Sequence, residues 1–145
     1  MATLHRVNAG VAWEQPADLS SKDLQRSLSP AAVRAFVKIQ DLWKLRDEDA
    51  RSLLGGISNG AFYELKKKKS ATTLDQDRLT RISVLVGIFK ALNILYSKKL
   101  ADRWIQLPNE NPMFEGKTPL AYMTRGGLPG LLRVRQLLDS RRGGR

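Results

Sequence analysis

A run of apolar residues at helical spacing, Ile82, Leu85, Val86, Phe89, Leu92 and Tyr96, constrains this chain more than any other feature of its sequence. The spacing predicts one long helix whose buried stripe continues for about four turns, enough to serve a helical bundle before it and a small lobe after it. Thr73-Leu74-Asp75-Gln76 matches a capping box at its start. Gly87 lies within the helix at a cost of about 1 kcal/mol relative to Ala, which predicts close approach by a neighbouring element. Strand-like alternation, internal repeats and sustained heptads are absent. The predicted fold class is therefore all-α.

Upstream, Ser29 is read as a cap and Pro30 as the first residue of a helix in which Val33, Phe36, Val37 and Trp43 fall near an i, i+3, i+4 spacing, ending about Leu45. Residues 1–28 lack sustained periodicity and are read as a flexible arm. Asp47 is placed as the cap of a second helix, with Glu48 and Asp49 in its first turn, where the helix dipole favours acids. Gly55-Gly56 then turns the chain, and Ser58 caps a third helix with Ile57 and Phe62 at the positions of a hydrophobic staple. Two short helices joined by a glycine turn are the layout of a helix-turn-helix, whose second helix enters the major groove with its N-terminal residues nearest the base edges. The candidate DNA-binding residues are Ser58, Asn59 and Tyr63, followed by phosphate-neutralising Lys66, Lys67 and Lys68 in the run that ends at Lys69. One detail departs from the common motif: Ala50 stands one position too far from the turn glycine, and Arg51 holds the place of the usual small residue.

Downstream, Leu100, Trp104 and Leu107 share one predicted helical face until Pro108 stops it. Asn109, Asn111 and Pro112 make a turn-rich loop, Met113 and Phe114 an apolar plug, and Gly116 a tight bend. Thr118-Pro119 reads as an N-cap with proline at the first helical position, launching a short helix that Gly126-Gly127 ends. The last helix runs from about Pro129 to Arg141, with Leu131, Val134, Leu137 and Leu138 on one face and arginines on another. Trp104 and Phe114 are read as core residues.

Charge narrows the partners. The chain of 145 residues carries 25 Lys plus Arg against 14 Asp plus Glu, and the excess is confined to residues 30–100 and 125–145. A basic surface on a folded segment favours a polyanion, usually nucleic acid. Arg141, Arg142 and Arg145 flank two glycines and form a cationic end that no fold requires. The absence of cysteine excludes disulfides and thiolate metal sites and is compatible with a reducing cytoplasm. A signal-peptide pattern and an apolar run near 18 residues are both missing, so a cytoplasmic protein without a membrane partner is expected. His5 is the only histidine and lies in the arm, which leaves no nucleophile–histidine pair and no histidine-rich metal site. None of the glycine doublets has the spacing of a phosphate-binding loop. Neither an enzyme nor a cofactor is expected.

The ordered set Trp104, Pro108, Asn109, Phe114, Gly116, Pro119, Gly126, Gly127, Val134, Arg135 and Leu138 resembles the toxin-binding domain of the MbcA/ParS/Xre antitoxin family. The preceding segments LLGGISNGAFYELKK and LDQDRLTRISVLVGIFKALNILY look like the Xre-type helical region of the same proteins. The resemblance implies an Xre-like helix-turn-helix domain over residues 29–97 and a toxin-binding domain over 98–145. It further implies a cognate RES-domain toxin that consumes NAD or transfers ADP-ribose, and a homodimer that represses its own operon at a palindromic promoter, associating with the nucleoid there. The toxin-facing candidates are Arg133, Arg135, Arg141, Arg142 and Arg145, because a guanidinium suits a cleft built for pyrophosphate or lined with carboxylates. Two other readings stay open from the residues alone: a stand-alone helix-turn-helix regulator without a toxin, and a basic RNA-binding protein.

Overall fold

The structure, a computed structural model, describes residues 18–68 and 72–143. Six α-helices and two 3-10 turns account for its regular structure: α1 (Lys22–Trp43), α2 (Asp47–Leu53), α3 (Asn59–Lys67), α4 (Gln76–Leu95), α5 (Lys98–Arg103), the 3-10 turns Trp104–Gln106 and Pro112–Phe114, and α6 (Pro119–Arg142). Helix α4 is the axis of the fold, packed on α1 to one side and α6 to the other, with α5 against its C-terminal end. Its buried surface is accordingly wider than one stripe. Leu79, Ile82, Leu85 and Leu92 are buried as the spacing requires, but Val84, Ile88 and Ala91 form a second buried row, while Val86, Phe89 and Tyr96 are half-buried. A helix covered on two sides is apolar around most of its circumference.

One continuous core runs through both ends of the chain, from Val33, Phe36 and Trp43 of α1 to Leu131, Val134 and Leu138 of α6. Helix α2 packs directly on α6, so the helix-turn-helix region and the C-terminal segment share that core. At about 145 residues, close to the usual size of one domain, a shared interior buries more apolar surface than two separate lobes would.

Three predicted helix starts are corrected. Helix α1 begins at Lys22, not at Pro30: Ser21 caps it by accepting from the Leu24 amide, Asp23 occupies its first turn, and Pro30 lies inside it. Proline is tolerated there at the loss of one backbone bond. Residues 22–28 of the expected arm are thus helical, and residues 1–17 lie outside the described residues. Ser29, expected to cap, is buried instead; its hydroxyl donates to the Gln25 carbonyl and accepts from the Leu74 amide at 2.7 Å, which ties the approach to α4 onto α1. The cap of α4 is Asp75, accepting from Arg78 N at 2.9 Å, in place of Thr73. Asp47 is the first residue of α2 and not its cap; the N-cap is Arg46, which makes no side-chain capping bond.

Candidate functional site

Two surfaces bring the candidate residues together, and each is set by local sequence. The first is the outer face of α3. Ser58 caps α3, its Oγ accepting from Ala61 N at 3.1 Å. Phe62 and Leu65 face the core, so Asn59 and Tyr63 face outward, Tyr63 at 64% exposure. Lys67 lays its ammonium 5.8 Å from the Tyr63 ring centroid, and Lys66 lies 5.1 Å from that of Phe62. Lys66 also reaches Asp47 Oδ1 at 3.4 Å, while Lys68 pairs with Glu64 at 3.2 Å. Gln40 donates to Asp47 Oδ1 at 2.9 Å, and this bond, helped by the Lys66 charge, holds the Asp47 carboxyl below its ordinary value.

The helix-turn-helix turn accommodates its irregular sequence through Arg51. Gly55 and Gly56 both adopt positive φ, 93° and 81°, which only glycine takes without strain. Arg51 occupies the place of the missing small residue and bends across the turn, donating from Nε to the Ile57 carbonyl at 2.9 Å. Ala50 remains fully buried one residue earlier.

The second surface is built by the loop between the 3-10 turns and by α6. Asn109 Oδ1 accepts from Asn111 N at 2.9 Å, and Asn111 Oδ1 from Met113 N at 3.0 Å, two successive Asx turns that lift the chain over the core. Phe114 then drops inward between Trp104 and Tyr122, edge-to-face with both at centroid separations of 6.2 and 5.3 Å. Glu115 and Gly116 take left-handed backbone, returning the chain to Thr118, whose Oγ1 caps α6 through Ala121 N at 3.0 Å. Gly127, at φ 61° and ψ −154°, breaks α6 into two helical halves. The notch at that kink is a cavity of about 350 Å³, lined by Phe114, Tyr122 and Gly130 and by three cations, Lys117, Arg125 and Arg133, against one acid, Glu115.

The loop that frames this notch lies inside a segment that matches a known family. Residues 90–144 match the protein family described as the antitoxin Xre/MbcA/ParS C-terminal toxin-binding domain. The chain belongs to the Xre/MbcA/ParS antitoxin family. The antitoxin is also similar to the uncharacterized protein y4oB of Sinorhizobium fredii (strain NBRC 101917 / NGR234), 38% identical over 131 residues that cover 90% of this chain and 98% of that protein. No solved structure matches it. The matched segment begins within α4, ahead of the boundary expected at residue 98, and so includes the last turns of the central helix. Among the described residues no helix of the antitoxin is long and apolar enough to cross a membrane.

The arginines expected to face the toxin separate into distinct environments. Arg133 is exposed and lines the notch. Arg135 instead turns back onto the antitoxin: its Nε donates to Asp139 Oδ2 at 3.0 Å, and its guanidinium lies over Gly87 of α4. Arg141 is half-buried and donates to Tyr96 Oη at 3.1 Å, fastening the end of α6 to the end of α4. Arg142 lies 3.9 Å from Asp139 Oδ1. Arg145 and Lys69 lie outside the described residues. Sequence reasoning missed Lys117 and Arg125. Their signal was position, since Lys117 directly precedes the Thr118-Pro119 cap and Arg125 the glycine doublet, the two breaks that frame the notch.

Proposed function

We propose that this antitoxin neutralises a RES-type toxin by seating the notch of α6 against the toxin's NAD-using cleft, and that its α2–α3 pair binds the promoter of its own operon as a homodimer, repressing it. The observation that carries the toxin reading is the set of Lys117, Arg125 and Arg133 lining the notch with Phe114 and Tyr122, inside the segment matched to a toxin-binding domain. None of these three cations joins an ion pair among the described residues. Guanidinium groups bind pyrophosphate and carboxylate in bidentate fashion, so an unpaired set fits a cleft made for a dinucleotide. Arg142 adds an exposed cation at the end of α6, whereas Arg135 packs over Gly87 and Arg141 bonds Tyr96, both on the scaffold.

The promoter reading is supported by the exposed polar face of α3, where Asn59 and Tyr63 stand beside Lys66, Lys67 and Lys68. Ser58 Oγ accepts the capping bond from Ala61 N, and its hydroxyl hydrogen is left to donate beside Asn59. The experiment is purification of the tagged antitoxin from its native host, followed by binding to a duplex spanning its own promoter and to a scrambled duplex. A stoichiometric toxin partner and preference for the promoter are expected. Promoter preference without a partner would leave a stand-alone regulator, and binding that follows RNA and ignores promoter sequence would replace both roles.

A further inference from the structure

We propose that α1 is a second DNA-contacting element, in which Arg34, Lys38 and Lys44 hold phosphates of the duplex whose bases α3 meets. This inference rests on the promoter reading above and extends its surface to a helix outside the helix-turn-helix.

A groove of about 640 Å³ runs between α1 and α3, and its walls include Arg34, Lys38 and Lys44 from α1 and Lys66 from α3. Lys66 also lines the neighbouring depression of about 530 Å³ that holds Asn59, Tyr63 and Lys67. The two therefore form one surface, joined at Lys66. Its carboxylates are Asp41 and Asp47, and Asp47 is already engaged by Lys66 and Gln40. The remaining acids at the start of α2, Glu48 and Asp49, are paired by Arg46. Arg34, Lys38 and Lys44 have no such partner: none of them enters an ion pair among the described residues. Asp41 is the one carboxylate of the groove not engaged elsewhere among the described residues, so three cations face one acid, and this positive excess is stabilised when an extended anion covers it.

Lys44 adds a second kind of observation. It closes α1 in the left-handed conformation, φ 54° and ψ 46°, where glycine is the residue that backbone sterics favour. The backbone does its structural work regardless of side chain, since the Lys44 amide bonds the Asp41 carbonyl and Gln106 Nε2 donates to the carbonyls of Trp43 and Lys44. A lysine at this position is a local compromise, and its unpaired ammonium beside Arg34 and Lys38 supplies the reason for it. From Arg34 to Lys44 the helix rises about 15 Å. Each strand of a duplex presents one phosphate per about 3.4 Å of axis, so this length faces several consecutive phosphates. Contacts of that kind position a protein without reading sequence, which complements the exposed Asn59 and Tyr63.

The test is fluorescence anisotropy of the full chain on promoter and scrambled duplexes across a series of salt concentrations. Replacing Arg34→Gln, Lys38→Gln and Lys44→Gly together is expected to make the slope of log K against log salt shallower by about 2.7 for each protomer bound, about 0.9 per phosphate lost, with the promoter-to-scrambled ratio unchanged. Lys38→Gln alone, at an exposed helix position, is expected to remove about 0.9 for each protomer bound and keeps the test valid should the triple variant fold poorly. The pair Asn59→Ala and Tyr63→Ala should do the reverse, lowering the ratio while the slope holds. Wild-type slope and affinity in the α1 variants, with α3 variants impaired, would overturn the α1 assignment and leave the promoter reading standing. Absence of duplex binding by the wild-type chain would overturn both, and tighter binding to RNA of the same sequence would reassign the ridge to RNA.

Discussion

Arg135 of α6 lies across Gly87 of α4 so closely that a methyl group at position 87 would sit 1.9 Å from its Nη1. The missing side chain on the central helix is the seat for a guanidinium from the toxin-binding segment, held there by Asp139. This contact joins the two most extensively packed helices of the fold. Gly87→Ala gains about 1 kcal/mol of helix preference, but must expel Arg135, which forfeits its packing and its i, i+4 pair. Introduced alone, it is expected to change stability by less than that gain. In an Arg135→Ala background the same substitution should stabilise by the full amount of about 1 kcal/mol. A double-mutant cycle by chemical denaturation measures the difference, and additivity within error would show that the two positions do not meet.

Ser29 joins α1 to the start of α4 through one buried amide. Ser29→Ala removes the acceptor for Leu74 N and leaves that donor buried without a partner, so a loss of about 1–3 kcal/mol is expected. Amide hydrogen exchange at Leu74 should accelerate along with the fall in stability. Unchanged exchange there would mean that the Ser29 hydroxyl does not hold this junction.

Phe114 is both the keystone of the 109–118 loop and part of the lining of the notch, at 2% exposure between two aromatic rings. Phe114→Ala is expected to cost about 3–5 kcal/mol. Phe114→Leu keeps much of the volume but loses two edge-to-face contacts of about 0.5–1.5 kcal/mol each. Equilibrium denaturation separates the two substitutions, and a loss below about 1 kcal/mol for alanine would contradict the packing described.

Asp47 has a depressed pKa, caused first by the Gln40 hydrogen bond; desolvation opposes it, and Lys66 and then Arg51 add to the lowering. A carboxyl lowered on folding stabilises the native state above its unfolded pKa and loses that contribution as pH falls through its folded pKa. The difference in stability between wild type and Asp47→Asn should therefore be constant near neutrality and shrink below about pH 4. By NMR titration, Gln40→Met should raise the Asp47 pKa more than Lys66→Met does. The opposite order would make the ion pair, and not the amide, the main cause.

Legibility in the sequence followed the range of the interactions. Local signals were readable: Ser58 and Thr118 cap as their spacing to the next helix requires, and Trp104 and Phe114 are core. The glycine doublet at 126 and 127 marks the α6 break because a positive φ at Gly127 has a local residue requirement. Ser29-Pro30 misled for the same reason in reverse. It has the local form of a helix start, but the hydroxyl is claimed by Leu74, far along the chain, and α1 runs through the proline. The second buried row of α4 was hidden because it depends on α6 folding back, which no spacing within α4 encodes. Arg133 and Arg135 stand two residues apart with the same chemistry, and only Gly87 on another helix separates an outward arginine from one that is spent on packing.

Inhibition of the toxin by the notch of α6 is measured by titrating the antitoxin into its purified cognate toxin while following NAD consumption. Wild-type antitoxin should abolish turnover at stoichiometric amounts, and Arg125→Glu with Arg133→Glu should restore it while promoter binding through α3 is unaffected. Full inhibition by the charge-reversed variant, or no inhibition by the wild type, would contradict it.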